Sequence, residues 1–207
     1  MLAMLQRQAN RHTDRLAHML HDRDITYRRL WSRIERGSAR LQGEWGVRSG
    51  DTVAYVGSGH PDAIVLYFSL LRIGASLLPL ESLSPAAVTA WCVDKQVSLA
   101  VHDDGMVMSG VPAQRLEDLL AVWCHYDPLL VVDDEVRRAV WLPGSDGQWQ
   151  ATSLAELCAA LPQVPRSTFV NDRIFTADTL RHIVLPSLIA AMPMEFATSG
   201  PALRTGS

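Results

Sequence analysis

Residues Thr52–Leu80 read TVAYVGSGHPDAIVLYFSLLRIGASLLPL, and this stretch decides the fold. Its first residues, Thr52-Val53-Ala54-Tyr55-Val56, are mostly β-branched or aromatic and predict a buried strand. Gly57 and Gly59 break that strand. Pro61 then fits the first turn of a helix, where its missing N–H costs nothing. The helix is expected to run to about Ile73 and stop at Gly74, and Ala75 to Pro79 forms the next strand. Beyond it, Ser84 is placed as an N-cap with Pro85 at the first helical position, opening a helix through Trp91 and Val93. Val97 to Val101 is a third strand. Strand, helix, strand, helix, strand predicts right-handed crossovers and an α/β fold, a mostly parallel sheet flanked by helices. Val53, Tyr55, Ile64, Leu66, Phe68, Leu71, Leu77 and Leu99 are the expected core.

Upstream, Leu2, Leu5, Ala9, Leu16, Met19 and Leu20 fall at helical spacing and suggest a broken amphipathic helix over residues 1–21. Asp24-Ile25-Thr26 is extended. Tyr27, Leu30, Ile34, Ala39 and Leu41 mark the face of a helix ending near Gly43. Downstream, a short helix is expected over Arg115 to Ala121, with strands at Leu129 to Val132 and Ala139 to Leu142. Ser153 and Glu156 form a capping box for a helix to about Leu161. A strand at Arg173 to Thr176, a helix from Thr179 to Met192 and a strand from Met194 to Ala197 complete a single domain, 1–197. Residues 198–207, rich in Ser, Thr, Gly and Pro, read as a flexible tail.

The composition removes several function classes. The chain of 207 residues has a net charge of −3, which argues against a dedicated nucleic-acid binder. Of its 19 basic residues every one is Arg except Lys95. No apolar run is long enough for a membrane span, and Arg7 interrupts any signal-peptide pattern. Cys92, Cys124 and Cys158 match neither a disulfide framework nor a zinc site, so a reducing, cytoplasmic setting is expected.

The chemical motifs are weak one by one. Gly57-Ser58-Gly59 sits where a dinucleotide fingerprint would, but position 62 is Asp62, and the acid expected about 20 positions later has no clear counterpart on a strand end. A helix N-terminus there is still able to attract an anion. The seven histidines lack metal-ligand spacing, and no metal site is expected. No Ser occupies a nucleophile elbow. Asp133-Asp134-Glu135 reads as a solvated turn, since consecutive side chains diverge.

Their order along the chain is more informative. Ile25-Thr26-Tyr27-Arg28-Arg29-Leu30, Gly46-Val47-Arg48-Ser49-Gly50-Asp51-Thr52-Val53-Ala54 and Leu71-Arg72-Ile73-Gly74-Ala75-Ser76-Leu77-Leu78-Pro79-Leu80 stand in sequence. They resemble the N-terminal region of AMP-forming acyl-CoA synthetases and related adenylating enzymes. The patterns are "T-Y-x-x-L", "G-V-x-x-G-D-x-V" and "R-x-G-A-x-x-x-P-L", and the match covers about residues 15 to 102.

That resemblance implies a Ser/Thr/Gly-rich phosphate loop followed by a lysine. The corresponding segment is Leu142-Pro143-Gly144-Ser145-Asp146-Gly147-Gln148-Trp149-Gln150, a degenerate loop. Gly144, Ser145 and Gly147 remain, Asp146 brings a negative charge, Pro143 lacks an N–H, and Gln150 stands where the lysine belongs. A like charge beside triphosphate oxygens in a partly buried loop costs on the order of one to a few kcal/mol. His182 corresponds to a histidine near the family's acyl pocket. Lys95 matches no catalytic role.

The family's adenine-binding segment, ribose-binding aspartate and C-terminal lysine all lie beyond position 207. The expectation is therefore a ligase-like chain, acting on a carboxylic acid or acyl group, that does not complete adenylation alone. ATP with magnesium, and CoA, enter only if a complementary ligase portion is supplied. The alternative is a non-catalytic relative that binds acyl groups or another protein. Self-association is a further expectation, because half an enzyme leaves apolar surface open.

Overall fold

The computed structural model describes residues 1–20, 23–81, 83–103, 110–121, 140–144, 148–159, 161–170 and 173–196. In chain order the elements are α1 (Leu2–Arg11), β1 (Leu16–Leu20), β2 (Arg23–Thr26), α2 (Tyr27–Gly43), β3 (Thr52–Val56), α3 (Ala63–Ile73) and β4 (Ser76–Pro79). There follow α4 (Pro85–Asp94), β5 (Leu99–His102), β6 (Ala113–Arg115), α5 (Leu116–Leu120), β7 (Val140–Pro143), β8 (Trp149–Thr152) and α6 (Leu154–Cys158). Last come β9 (Phe169–Val170), α7 (Ala177–Thr179), a π-helical turn (Leu180–Val184), α8 (Leu185–Ala190) and β10 (Met194–Phe196).

Two sheets result. The six-stranded sheet has the order β6-β5-β3-β4-β7-β8. Every neighbouring pair in it is parallel except the β7–β8 hairpin. The expected α/β architecture is therefore present. Its inner strands are buried on both faces, as a helix-covered parallel sheet requires. Val53 and Tyr55 face the larger core, while Ala54 and Val56 face a smaller one with Val88 and Cys92 of α4. α3 is apolar nearly all round because it is enclosed: Ala63 through Leu70 are all buried. Of the expected core residues all are buried except Leu71, which is half-buried against the same cluster.

The family-like motifs turn out to be folding devices. Thr26 caps α2 through the Arg29 N–H, the Tyr27 hydroxyl donates to the Ser187 and Met192 carbonyls, and Leu30 is core. Gly74 ends α3 with φ 74°, a left-handed geometry that favours glycine. The Ser84 and Ser153 caps form as expected, the latter as a full capping box.

Four expectations fail or shift. Leu16–Leu20 is a strand rather than a continuation of α1, because β1 lies between β2 and β10 in a second, four-stranded sheet. Its partner β10 is far along the chain, so local periodicity cannot reveal it. Arg173–Thr176 is not a strand; β10 instead pairs with β9, and the backbone N–H groups of Ile174 and Phe175 serve the Glu81 carboxylate. β6 and β8 are short edge strands with little apolar pattern, and neither is foreseen. The helix after Ser153 stops at Cys158, short of Leu161. The strand expected at Leu129 to Val132, the Asp133-Asp134-Glu135 turn, Cys124 and the tail lie outside the described residues.

The helical stretch from Thr179 widens into the π-turn just before Pro186 in α8. Pro186 has no N–H to give the carbonyl four residues back, that of His182. The Arg166 N–H takes it instead, at 2.9 Å.

Candidate functional site

In an open parallel sheet, ligands bind beyond the carboxyl ends of the strands, where successive connections leave toward opposite faces. Here β3 leads to α3 in the larger core and β4 leads to α4 in the smaller one. The switch lies between them. Along this edge stand Gly57–His60 after β3, Glu81 after β4, Asp103 after β5 and Gly144 after β7.

Asp103 organises the centre. Its carboxylate accepts the Tyr55 hydroxyl and the Ser58 N–H, the latter at 3.2 Å. The Tyr55 oxygen in turn accepts the His60 N–H at 2.9 Å, and Phe175 meets the Tyr55 ring edge-on at 6.0 Å between centroids. Burial, and then Asp103, push the Tyr55 hydroxyl pKa up, so it remains a proton donor. A Cβ on Gly57 would collide with the Asp103 carboxylate, so a larger residue there must displace that carboxylate from its bonds to Tyr55 and Ser58. Gly57-Ser58-Gly59 is thus a strand-to-helix turn whose Ser58 N–H is taken by the protein's own carboxylate, not left for a dinucleotide phosphate.

Glu81 is the second unusual group. Burial raises its carboxyl to about 7, with the Asp103 charge adding to the rise and Arg173 and the Ile174 and Phe175 N–H groups opposing it. Its Oε1 is buried without a hydrogen-bond partner among the described residues. Beside this centre, a cleft of about 400 Å³ is walled by Arg33, His60, Asp62, Asp103 and Arg115, with Leu116 and Leu120. Arg33 Nη1 and Asp62 pair across its rim at 2.9 Å.

Of the residues expected at the site, Gly144 leaves β7 at this same edge and closes the hairpin by donating its N–H to the Gln148 carbonyl at 2.7 Å. Gln150 is on β8 opposite Leu142, exposed. Ser145, Asp146 and Gly147 lie outside the described residues. His182 is in the π-turn, with Nε2 3.7 Å from Asp178 Oδ1, and does not line this cleft. Lys95 follows α4, at the end of that helix away from the strand carboxyl termini, and packs against Trp141 of β7. Its ammonium pairs with Asp94 at 2.9 Å and lies over the Trp91 and Trp141 rings at 5.4 and 4.8 Å. Among the described residues no group of His, Cys, Asp or Glu is arranged to hold a metal. No described helix is long and apolar enough to cross a membrane.

Sequence reasoning missed Glu81 and Asp103, which read as ordinary polar residues after strands. The one available signal was positional, since each stands just beyond a parallel strand's carboxyl end.

The sheet and its carboxyl-edge hairpin define an α/β scaffold of mostly parallel strands, and comparison with known proteins gives its family. The AMP-binding enzyme family model matches residues 5–167, and the chain belongs to that family. It is 26% identical over 145 residues to acetyl-coenzyme A synthetase of Streptomyces avermitilis, a match covering 68% of this chain and 22% of that protein. The N-terminal subdomain of Klebsiella oxytoca NpsA, solved in complex with 3-hydroxybenzoyl-AMSN, superimposes with a TM-score of 0.76 at 20% identity. That match covers 96% of this chain and 54% of the other. O-succinylbenzoate coenzyme A synthetase of Bacillus subtilis, in complex with AMP, gives 0.75 at 15% identity, over 93% of this chain and 55% of that one. The chain thus spans about a fifth of the curated relative and about half of the solved ones.

Proposed function

We propose that this chain supplies the N-terminal portion of a carboxylic-acid-activating, AMP-forming ligase and does not complete adenylation by itself. The observation carrying this reading is the fate of positive charge. The single lysine, Lys95, is held at the far end of α4 between Asp94 and two indole rings, one of them Trp141 of β7, while the exposed Gln150 follows the loop. The residues around the loop fit a triphosphate poorly: Pro143 offers no N–H, Gln150 no charge, and Asp146 adds a like charge. The Ser58 N–H, the other anion donor near this edge, is already bound to Asp103. ATP with magnesium, and CoA, would therefore be held by a complementary portion of the enzyme, and His182 is the acyl-pocket candidate within this chain.

Isothermal titration with ATP and magnesium should show no binding tighter than millimolar. Submicromolar binding, or pyrophosphate release on adding a carboxylic acid, would overturn the proposal. A second reading, a non-catalytic acyl-binding or interaction module, draws on the preformed cleft beside Asp103 with its apolar wall of Leu116 and Leu120. It requires carboxylate or acyl-thioester binding without ATP, measurable in the same titration.

A further inference from the structure

The α2 helix carries Arg28, Arg29, Arg33, Arg36 and Arg40 against a single acid, Glu35. On the helical wheel Arg28, Ser32, Arg36, Arg29 and Arg33 fall within an arc of about 140°. The core face (Leu30, Ile34, Gly37, Leu41) is on the other side, so packing does not explain these residues. With Ile25 of β2 they line a groove of about 400 Å³ that contains no acidic side chain. Arg33 is paired with Asp62, and Arg36 Nε bonds back to the Ser32 carbonyl. Arg28 and Arg29 have no ion pair among the described residues and are exposed.

Their position is electrostatically adverse. Arg28 and Arg29 lie in the first turn of α2, which holds no acid, so two cations face the positive end of the helix dipole. In a chain of net charge −3 this is a local concentration, not a general basic character.

The groove also discriminates between anions. A compact phosphate at a helix start relies on free backbone N–H groups. Here the first three are already satisfied: Tyr27 N–H by the Arg15 carbonyl, Arg28 N–H by that of Thr13, and Arg29 N–H by the Thr26 hydroxyl. Only guanidinium groups remain, spread over about 12 Å of helix from Arg28 to Arg36. That spacing suits separate carboxylates along an extended chain, where same-side residues recur about every 6.6 Å.

We propose that this groove docks a carboxylate-rich segment of a partner protein, gripped by Arg28, Arg29 and Arg36. The test is fluorescence anisotropy with a labelled hexaglutamate peptide on the whole chain. Saturable binding is expected at low ionic strength and its loss near 1 M salt, where the Debye length shrinks to about 3 Å. Arg28→Glu with Arg29→Glu should weaken it by about tenfold or more, and Arg48→Glu, on a distant exposed turn, by less than about twofold. The double reversal places acids in the first turn, where the helix dipole favours them, so its melting temperature should not fall. Arg28→Gln with Arg29→Gln gives an intermediate loss if the reversal fails to fold. Absence of saturable binding, or unchanged affinity in the double variants, would overturn the proposal. So would displacement by tripolyphosphate at far lower concentration than by unlabelled peptide, which would assign the groove to phosphate.

Discussion

Glu81 shows how a single residue couples the sheet edge to pH. Its carboxyl is raised to about 7 chiefly by burial, so ionising it costs more in the folded chain than in the unfolded one. The stabilising contribution is full below the ordinary carboxyl range near 4.5 and is lost as pH rises through about 7. Glu81→Gln removes that titration. Between pH 4.5 and 7.5 the wild type should lose roughly 3 kcal/mol relative to the variant, read from urea midpoints at several pH values. Parallel pH curves would show that Glu81 does not titrate in the fold as described. Tyr27 is informative in a different way: its buried hydroxyl donates to two carbonyls in the distant α8–β10 segment. A motif that looked like a family signature is a tether between the two ends of the chain.

Among the elements, α2 and α3 approach closely because small residues line their contact. A Cβ on Gly37 would come within 2.5 Å of the Ser69 hydroxyl oxygen, which donates to the Ile34 carbonyl together with that of Ser38. Any larger residue must push the helices apart or break these bonds. Gly37→Val should cost about 1–3 kcal/mol in chemical denaturation, with Gly37→Ala intermediate. Equal stability of the three proteins would mean that the helix pair is not packed through this point. Such contacts explain why the elements from Asp24 to Val101 were readable: caps, turn glycines and apolar periodicity agree with the packing that follows. The same local rules misread Leu16–Leu20, whose apolar spacing suits a helix while its hydrogen bonds come from β2 and β10.

For the whole molecule, one core joins both sheets: Ala17, Ile25, Val170, Met194 and Phe196 cluster with Val53, Tyr55, Leu77 and Leu99. The two sheets should therefore unfold together. Tryptophan fluorescence and far-ultraviolet circular dichroism should give coincident thermal transitions, and two separated transitions would show that the sheets are independent units. Large apolar side chains exposed among the described residues are few, namely Val93, Val164 and Phe169.

The sequence by itself determined the local elements from Asp24 to Val101, the parallel strand–helix alternation from β3 to β5, the family resemblance and the absence of a lysine after the hairpin. Each of these rests on short windows, in which caps, glycine conformations and side-chain periodicity carry the information. The tertiary structure alone decided that β1 pairs with β10, that Asp103 fills the anion position at Ser58, that the half-buried Glu81 lies near it, and where Lys95 is held. Those outcomes depend on which distant backbone and side-chain groups are left to satisfy one another once burial excludes water, and no local window contains both partners.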